Sequence, residues 1–406
     1  MIGLSIKSNL NKRLIAFVII LTIPLSGSGI DIYMPSLPMM QAYFHTSSSM
    51  IQSSVSCYLL GSACAQPFVG WLMDGYGRKN PRTLALVLFL LVTLAISFTT
   101  NIFVLLLLRF IQGALTGAIH VGLRSSVTDI FSGKELYLMA NYITISWAMA
   151  PILAPALGGY LQHYFGWKAD FIFLFAYGVV CLILLTYALP ETIPNKNPAS
   201  FATFRKNVNL VLSHRVFLGV VAGMGISYAL LLLFSVASPY VYEGDFSYTP
   251  IQFGHTALLM GVAWLIGNII NRVTMRFSPT EKLRILTISS SLIGLVLFTT
   301  AKINFLHPHF LTAITFILVM FAAITYVNYF AKAISMFPQI AATAGAVMGT
   351  GMTVISVLVG SEFGSSIPPG NLIDYTWVLF VVVFANFIIY AQLNKSIEIT
   401  QPNQEE

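Results

Sequence analysis

Long apolar stretches without charged residues alternate with short polar ones along nearly the whole chain. Each apolar stretch has close to the ~20 residues that a membrane-spanning helix needs. We therefore predict an all-α membrane protein with twelve spanning helices, which we number one to twelve in chain order. Their predicted ranges are 14–34, 47–73, 82–99, 102–123, 137–161, 168–189, 215–241, 251–271, 284–301, 309–331, 341–362 and 373–393.

The composition agrees with a chain that lies in lipid. Of its 406 residues, 57% are hydrophobic and 9% are charged, whereas soluble domains carry about 25% charged residues. A soluble core of this size could not hide so much apolar surface. Cys57, Cys64 and Cys181 lie in apolar runs without a metal-ligand spacing, so we interpret them as packing residues.

Two motifs of ATP-driven and zinc-dependent proteins are absent from the sequence. It contains neither a Gly-x-x-x-x-Gly-Lys-Ser/Thr phosphate loop nor a His-Glu-x-x-His zinc motif. We therefore expect no enzyme activity, no cofactor and no metal, and we expect any transport to be driven by an ion gradient.

The basic residues predict the orientation of the helices. If both termini are cytoplasmic, eighteen of the 21 Lys and Arg residues fall in cytoplasmic segments and two, Lys168 and Lys302, fall on the opposite side. Arg109 belongs to neither group. Since membrane proteins keep Lys and Arg in the cytoplasm, this bias favours twelve helices with both termini inside. We thus interpret the net charge of +7 as topology, and we expect no nucleic-acid partner.

The longest polar stretch, residues 190–214, lies between helices six and seven. Its proline and asparagine residues are typical of a linker, with a short surface helix predicted at 201–212. The predicted organisation is a six-helix bundle at 1–189, a cytoplasmic linker at 190–214 and a second bundle with a short cytoplasmic tail at 215–406. Two bundles of six helices are the layout of one large class of transporters.

Two charged residues interrupt the apolar runs of the first half. Asp31 ends a run that is uncharged from 14 to 30, and Arg109 follows one that is uncharged from 83 to 108. Charges inside lipid are costly and mark functional sites, although both could also reach an interface. At ~1.5 Å per residue, both fall in the same half of the membrane, separated by ~9 Å in depth. A direct contact between them therefore stays open.

A Gly-Trp-Leu-Met-Asp-Gly-Tyr-Gly-Arg-Lys run at 70–79 closes helix two. Gly75 and Gly77 permit a tight turn, and Arg78 and Lys79 can anchor at anionic headgroups. The spacing resembles the signature loop between helices two and three of the major facilitator superfamily.

Three further stretches sharpen this resemblance. The Arg-x-x-Gln-Gly run at 109–113 and the Ala-Pro-x-x-Ala-Pro-x-x-Gly-Gly run at 150–159 are similar to motifs of drug:proton antiporters. The Asp-x-Tyr-x-Pro-x-x-Pro run at 31–38 and the Leu-Pro-Glu-Thr run at 189–192 resemble the bicyclomycin-resistance (Bcr/CflA) subfamily. All of these motifs lie in the first half, and the second half is covered only by its number of helices.

The resemblance implies the major facilitator fold, with two six-helix bundles around a central cavity, and proton-coupled export across the bacterial inner membrane. Asp31 matches the carboxylate that takes and releases protons, and Arg109 matches the arginine that tunes it. The residues that match the bent, sealing segment of helix five are Pro151, Pro155, Gly158 and Gly159. Those that match the gating loop are Gly70, Asp74, Gly77, Arg78 and Lys79.

Helix four and scattered aromatic residues supply candidates for the cavity wall. Arg109, Gln112, Gly113, Thr116 and His120 recur at steps that place them on one helix face. His120 could relay protons or simply form a hydrogen bond between helices. Arg124 and Asp129, beyond the predicted helix end, are interpreted as a gate or a surface pair. The aromatic candidates are Tyr33, Trp147, Tyr228 and Tyr326.

We interpret the protein as a proton-coupled exporter of small amphipathic compounds, with drugs as the leading class. Export of an endogenous metabolite or siderophore would need the same fold, and proton symport of a nutrient is the third alternative. The expected partners are the substrate, protons and the lipid bilayer, and the expected state is a monomer.

Overall fold

The computed structural model describes residues 2–192, 201–274, 276–303, 305–337, 340–368 and 371–398. Within these ranges the chain forms twelve long helices, ten of which are long and apolar enough to cross a membrane by length and composition. Helices one to six comprise Ile2–Thr22 with Pro24–Asp31, Ser48–Tyr76, Lys79–Phe98, Ile102–Ile130, Gly133–Phe165 and Lys168–Ala188. Helices seven to twelve comprise Arg215–Pro239, Pro250–Val273, Pro279–Lys302, Pro308–Met336, Ala341–Ser356 and Leu372–Glu398.

All twelve predicted helices are present, and the larger differences concern their ends. Helix one stops at Asp31, and the chain continues through a tight 3₁₀ turn, Met34–Ser36, into a short helix, Leu37–Phe44. Pro35 and Pro38 lie in the first turns of these two elements, where a missing N–H leaves no hydrogen bond unmade.

The ends of helices four, seven and eleven also differ from the prediction. Helix four was predicted to end at 123 but continues to Ile130, because its last two turns are polar and lie beyond the apolar run. Helices seven and eleven pass into π-helical turns, Tyr240–Asp245 and Val357–Glu362.

The helix predicted at 201–212 is present as Phe201–Leu212, and we call it the linker helix. Residues 193–200 of the linker and the tail from 399 onward lie outside the described residues. The division of the chain at 190 and 214 stays a prediction.

Each half of the chain has its own apolar core. In the first bundle, buried side chains from helices one, three, four and six meet, such as Val18, Phe89, Leu123 and Cys181. Cys181 therefore packs as predicted, whereas Cys64 is exposed. In the second bundle the buried core includes Leu233, Phe253, Leu297, Leu318 and Leu379 from helices seven, eight, nine, ten and twelve. The twelve helices thus form two bundles.

The two bundles meet along helices two, five, seven, eight and eleven. We call the side of the molecule on which helix two ends, at Tyr76, the linker side, and the opposite side, with Ser48 and Pro250, the far side. On the far side, the Tyr160 hydroxyl of helix five lies 3.2 Å from His255 Nε2 of helix eight. Met34, in the turn after helix one, is buried in the core of the second bundle. The far side is therefore closed by direct packing.

Candidate functional site

Asp31 ends helix one at the boundary between the two bundles. One turn before it, helix one packs against helix five so closely that a Cβ on Gly27 would lie 2.6 Å from Ala150 Cβ. The Asp31 carboxylate is half-buried and has no hydrogen bond or ion pair with a described residue. It interacts electrostatically with the hydroxyls of Tyr58 in the first bundle and Tyr228 in the second. Asp31 is therefore an unpaired acid that faces both bundles.

Arg109 of helix four is fully buried inside the first bundle. Its guanidinium donates hydrogen bonds to Gln112 Oε1 at 2.6 Å, to the Gly29 carbonyl at 2.9 Å and to the Ser54 carbonyl at 3.4 Å. These acceptors belong to helices four, one and two. Arg109 thus connects three helices through neutral oxygen atoms. One of these atoms, the carbonyl oxygen of Gly29, lies two residues before Asp31.

Aromatic rings complete the surroundings of the Arg109 charge. Its guanidinium carbon lies 4.4 Å from the ring centre of Tyr33 and 4.5 Å from that of Tyr58, within the range of cation–π attraction. No carboxylate among the described residues, Asp31 included, lies within 4.0 Å of it. The direct contact that the sequence left open is therefore not formed in this conformation.

The polar face of helix four packs inside the first bundle and does not form a wall shared with the second. Gln112 Nε2 donates to Thr93 Oγ1 of helix three at 2.7 Å, and the Tyr58 hydroxyl of helix two donates to Thr116 Oγ1 at 3.0 Å. A Cβ on Gly113 would lie 1.8 Å from the Tyr58 carbonyl. The spacing predicts that these residues line a cavity, whereas their contacts place them between helices of the first bundle.

Two other predicted cavity residues also lie within the first bundle. Tyr33 is fully buried, and its hydroxyl is 3.0 Å from Ser54 Oγ. His120 lines a small internal cavity between helices one and four, and its Nε2 has no hydrogen bond with the described residues. Gln112, Gly113, Thr116 and His120 thus pack within the first bundle. Tyr33 differs from them, because it belongs to an apolar cluster that also includes Leu232, Val236 and Tyr240 of the second bundle.

Four aromatic residues from both bundles come together at that boundary. Ring centres are 6.3 Å apart for Trp147 and Tyr228, 6.0 Å for Tyr228 and Trp264, and 5.5 Å for Trp264 and Tyr326. We call these four residues the aromatic cluster. Three of them were predicted cavity residues, and Trp264 was not. Asp31 is close enough to this cluster to interact electrostatically with Tyr228.

Arg124 of helix four faces the same boundary from nearer the linker side. Its side chain is exposed, and its guanidinium interacts electrostatically with Tyr326 of the aromatic cluster. It lies within helix four, and so does Asp129. The predicted pair of Arg124 with Asp129 is not formed, because Asp129 bonds to Arg78, with Nε and Oδ2 at 3.3 Å.

Glu191 after helix six stabilises the turn between helices two and three. Its carboxylate accepts hydrogen bonds from the backbone N–H groups of Arg78 at 2.8 Å and Lys79 at 3.1 Å, the free donors at the start of helix three. Gly77 has φ +95°, and a Cβ there would lie 2.5 Å from Glu191 Oε2. The turn therefore requires glycine at this position.

A buried arginine that the sequence analysis missed completes this network. Arg82 of helix three is fully buried and donates to Ser126 Oγ and to the Leu189 carbonyl, both at 3.2 Å. Together with Glu191 it ties the loop to helices four and six. Gly70 and Asp74 belong to helix two, but their surroundings lie outside the described part of the structure.

The Pro/Gly segment of helix five packs against two helices at very short range. A Cβ on Gly158 would lie 1.7 Å from the Ile32 carbonyl, just after helix one, and a Cβ on Gly159 would lie 2.5 Å from the Pro250 carbonyl of helix eight. Helix five stays helical through Pro151 and Pro155.

Helix eight contributes glycines of its own to the contact with helix five. A Cβ on Gly254 would lie 2.7 Å from the Pro155 carbonyl, and one on Gly261 would lie 2.7 Å from Ile152 Cα. Close backbone approach through small residues is a common way for helices to pack in membranes. Helices five and eight therefore seal the boundary from the far side to its middle.

A polar contact joins the bundles on the far side between helices two and eleven. The Ser56 hydroxyl donates to Glu362 Oε1 at 2.7 Å and lies 2.7 Å from the Ser361 hydroxyl. We call these three residues the far-side bridge.

Comparisons with known proteins agree with these features. The Major Facilitator Superfamily profile matches residues 19–361. A bicyclomycin resistance protein homolog of Haemophilus influenzae is 26% identical over 88% of this chain and 91% of its own length. Multidrug resistance protein MdtM of Escherichia coli K12 is 30% identical over 69% of this chain and 68% of its own. The crystal structure of a D-xylose-proton symporter superposes with a TM-score of 0.75 at 15% identity, covering 93% of this chain and 97% of that one.

Proposed function

Because the chain belongs to the major facilitator superfamily of membrane transporters, we propose that it exports small amphipathic compounds in exchange for protons. Relatives that match most of this chain are named for resistance to bicyclomycin and to multiple drugs, which supports drugs as the leading class of cargo. We further propose that the protein is a monomer in the bacterial inner membrane, with both termini and the linker side in the cytoplasm. The likeness to the sugar symporter concerns the fold alone.

The observation that carries the proposal is the position of Asp31. An unpaired carboxylate stands beside the aromatic cluster, at the boundary of two bundles that can open alternately. A proton and a cationic or polar substrate compete for this carboxylate, so that binding of one releases the other. Competition of this kind converts a proton gradient into export.

Arg109 is proposed to tune Asp31 through the backbone of helix one. Its bond to the Gly29 carbonyl fixes the segment that ends at Asp31. A movement of helix four against helix one would change the distance between the two charges and thus the affinity of Asp31 for protons.

The aromatic cluster is proposed to form the substrate wall. Apolar walls with few polar groups accept compounds of varied shape. Arg124, exposed and close to Tyr326, adds a positive charge nearer the cytoplasm. The cavity would thus carry a negative group and a positive group at different depths.

Transport into proteoliposomes tests the proposal. In the wild type, a pH gradient should drive accumulation of the multidrug probe ethidium, and addition of ethidium should move protons in the opposite direction. Asp31→Asn should abolish both, while still allowing exchange of labelled for unlabelled ethidium. Asp374→Asn, at the start of helix twelve, is the matched control and should behave as the wild type.

Wild-type accumulation by Asp31→Asn under a pH gradient would contradict the coupling role. Proton and substrate movement in the same direction would favour symport. If drugs are not moved, the compounds that accumulate inside a deletion strain would identify an endogenous cargo.

A further inference from the structure

A second acid of the first bundle, Asp170, is more deeply buried than Asp31. It is the third residue of helix six, and its side chain has no exposed surface. The Ser36 hydroxyl donates a hydrogen bond to Asp170 Oδ2 at 2.5 Å. Asp170 Oδ1 is buried and has no hydrogen-bond partner in the described part of the chain. The carboxyl therefore has one hydrogen bond where an ionised group would require several.

No cation in the described part of the chain forms an ion pair with Asp170 in this conformation. Arg109 of helix four lies over the Phe171 ring at 5.8 Å, and Lys168 lies over the Tyr43 and Trp167 rings. Among the described residues, neither cation comes within 4.0 Å of Asp170.

Helix six packs against helices one, three and five. Toward the far side, helix one carries Asp31 and the turn after it Tyr33, and helix five carries Tyr160, His163 and Tyr164. None of them appears among the described hydrogen-bond or ion-pair partners of Asp170. Since an isolated buried carboxylate is very costly, the neutral form fits this environment and the ionised form does not.

The turn that bonds to Asp170 packs between the two bundles. Its hydrogen-bond partner Ser36 belongs to the turn Met34–Ser36, which contacts helices five, seven and eight. In the same turn, Met34 is buried among apolar side chains of the second bundle, with Phe253 and Ala257 in the same core. Separation of the bundles on the far side would remove this cover from Met34 and would expose the turn that bonds to Asp170.

We propose that Asp170 is a proton-sensitive positioning residue that permits far-side closure only when it is protonated. On closure the carboxylate takes one proton from far-side water and bonds to Ser36, and on opening it can return that proton to the same side. This proton is not transported. The inference rests on the proposed alternation of the two bundles but not on the role of Asp31 or on the direction of export.

Distance measurements between two spin labels test this inference in the purified full chain. One label is placed at Ser49 on helix two and one at Ser247 before helix eight, both exposed on the far side, with the three native cysteines replaced by serine. Raising the pH should increase the far-side-open population. Because closure takes up one proton, the ratio of open to closed should rise by up to about tenfold per pH unit.

Asp170→Asn should hold the far side closed, with short label distances at every pH. Asp31→Asn should keep the pH response, which separates this inference from the coupling role of Asp31. Ser36→Ala, which removes one hydrogen bond and no titratable group, should shift the midpoint of the response and not abolish it. A wild-type pH response in Asp170→Asn would overturn the proposal, as would loss of that response in Asp31→Asn alone.

Discussion

Arg109 keeps a full positive charge in the interior of the first bundle by bonding to oxygen atoms on three helices. The acceptors are Gln112 Oε1 and the carbonyls of Gly29 and Ser54, and two aromatic rings cover the faces of the guanidinium. Such an arrangement uses the planar fork of arginine, whose donors point in several fixed directions. At the residue scale, therefore, shape and charge are both required at this position.

Arg109→Lys should lower the rate of ethidium transport by more than about tenfold. Lysine keeps the charge, but its single ammonium cannot reach acceptors on three helices, and each lost bond to a charged group is worth about 1.5–3 kcal/mol. Rates in proteoliposomes measure this. Arg205→Lys, on an exposed position of the linker helix, is the matched control. A wild-type rate for Arg109→Lys would show that charge alone matters there.

Helices two and four pack through glycines, which decides how close their axes come. A Cβ on Gly61 of helix two would lie 2.0 Å from the Phe110 carbonyl, and one on Gly117 of helix four would lie 2.7 Å from the Ser62 carbonyl. Gly113 lies between these two contacts and meets the Tyr58 carbonyl. At the scale of the helix pair, Gly113 therefore allows the backbones of helices two and four to pack closely.

Gly113→Ala should destabilise the protein by about 1–3 kcal/mol, the usual effect of an overpacked core. The reason is the 1.8 Å separation between the added Cβ and a backbone oxygen, which only a shift of helix two or four can relieve. The melting temperature in detergent measures this effect and should fall by several degrees.

Gly345→Ala on helix eleven is the matched control for Gly113→Ala. Nothing lies within 4 Å of its added Cβ, so its melting temperature should equal or exceed that of the wild type, because alanine favours helices. Equal melting temperatures for the two variants would contradict the packing explanation.

At the scale of the whole molecule, the helices were predictable and most of their contacts were not. In lipid, an apolar stretch of sufficient length has to pair its backbone groups within a helix, and this is why the pattern of the sequence predicted all twelve. Hydrophobic periodicity does not reveal which neighbour a polar face meets. The face of helix four with Gln112 and Thr116 therefore pointed to a cavity and instead packs against helices two and three.

The positions of some individual residues could not be predicted, for related reasons. Asp170 and Arg82 stand near helix ends, where charged residues commonly face water, and only the fold shows that both are buried. Trp264 could not be distinguished in a chain with 13% aromatic residues. Asp31 and Arg109, in contrast, were found because charges are rare inside long apolar runs, although their roles stay predictions.

Closure of the far side depends on contacts between the bundles, and the far-side bridge is a polar one among them that a single substitution can remove. Ser56→Ala removes the hydroxyl that donates to Glu362 at 2.7 Å in the closed form. Once the far side is open, water can donate to Glu362 instead, so the substitution destabilises only the closed form. The open population, measured with the Ser49 and Ser247 labels, should therefore rise several-fold. Ser53→Ala, one turn earlier on helix two, removes a hydroxyl that bonds only within its own helix and should change nothing. If both variants give the wild-type distribution, closure depends on the glycine contacts of helices five and eight and not on the bridge.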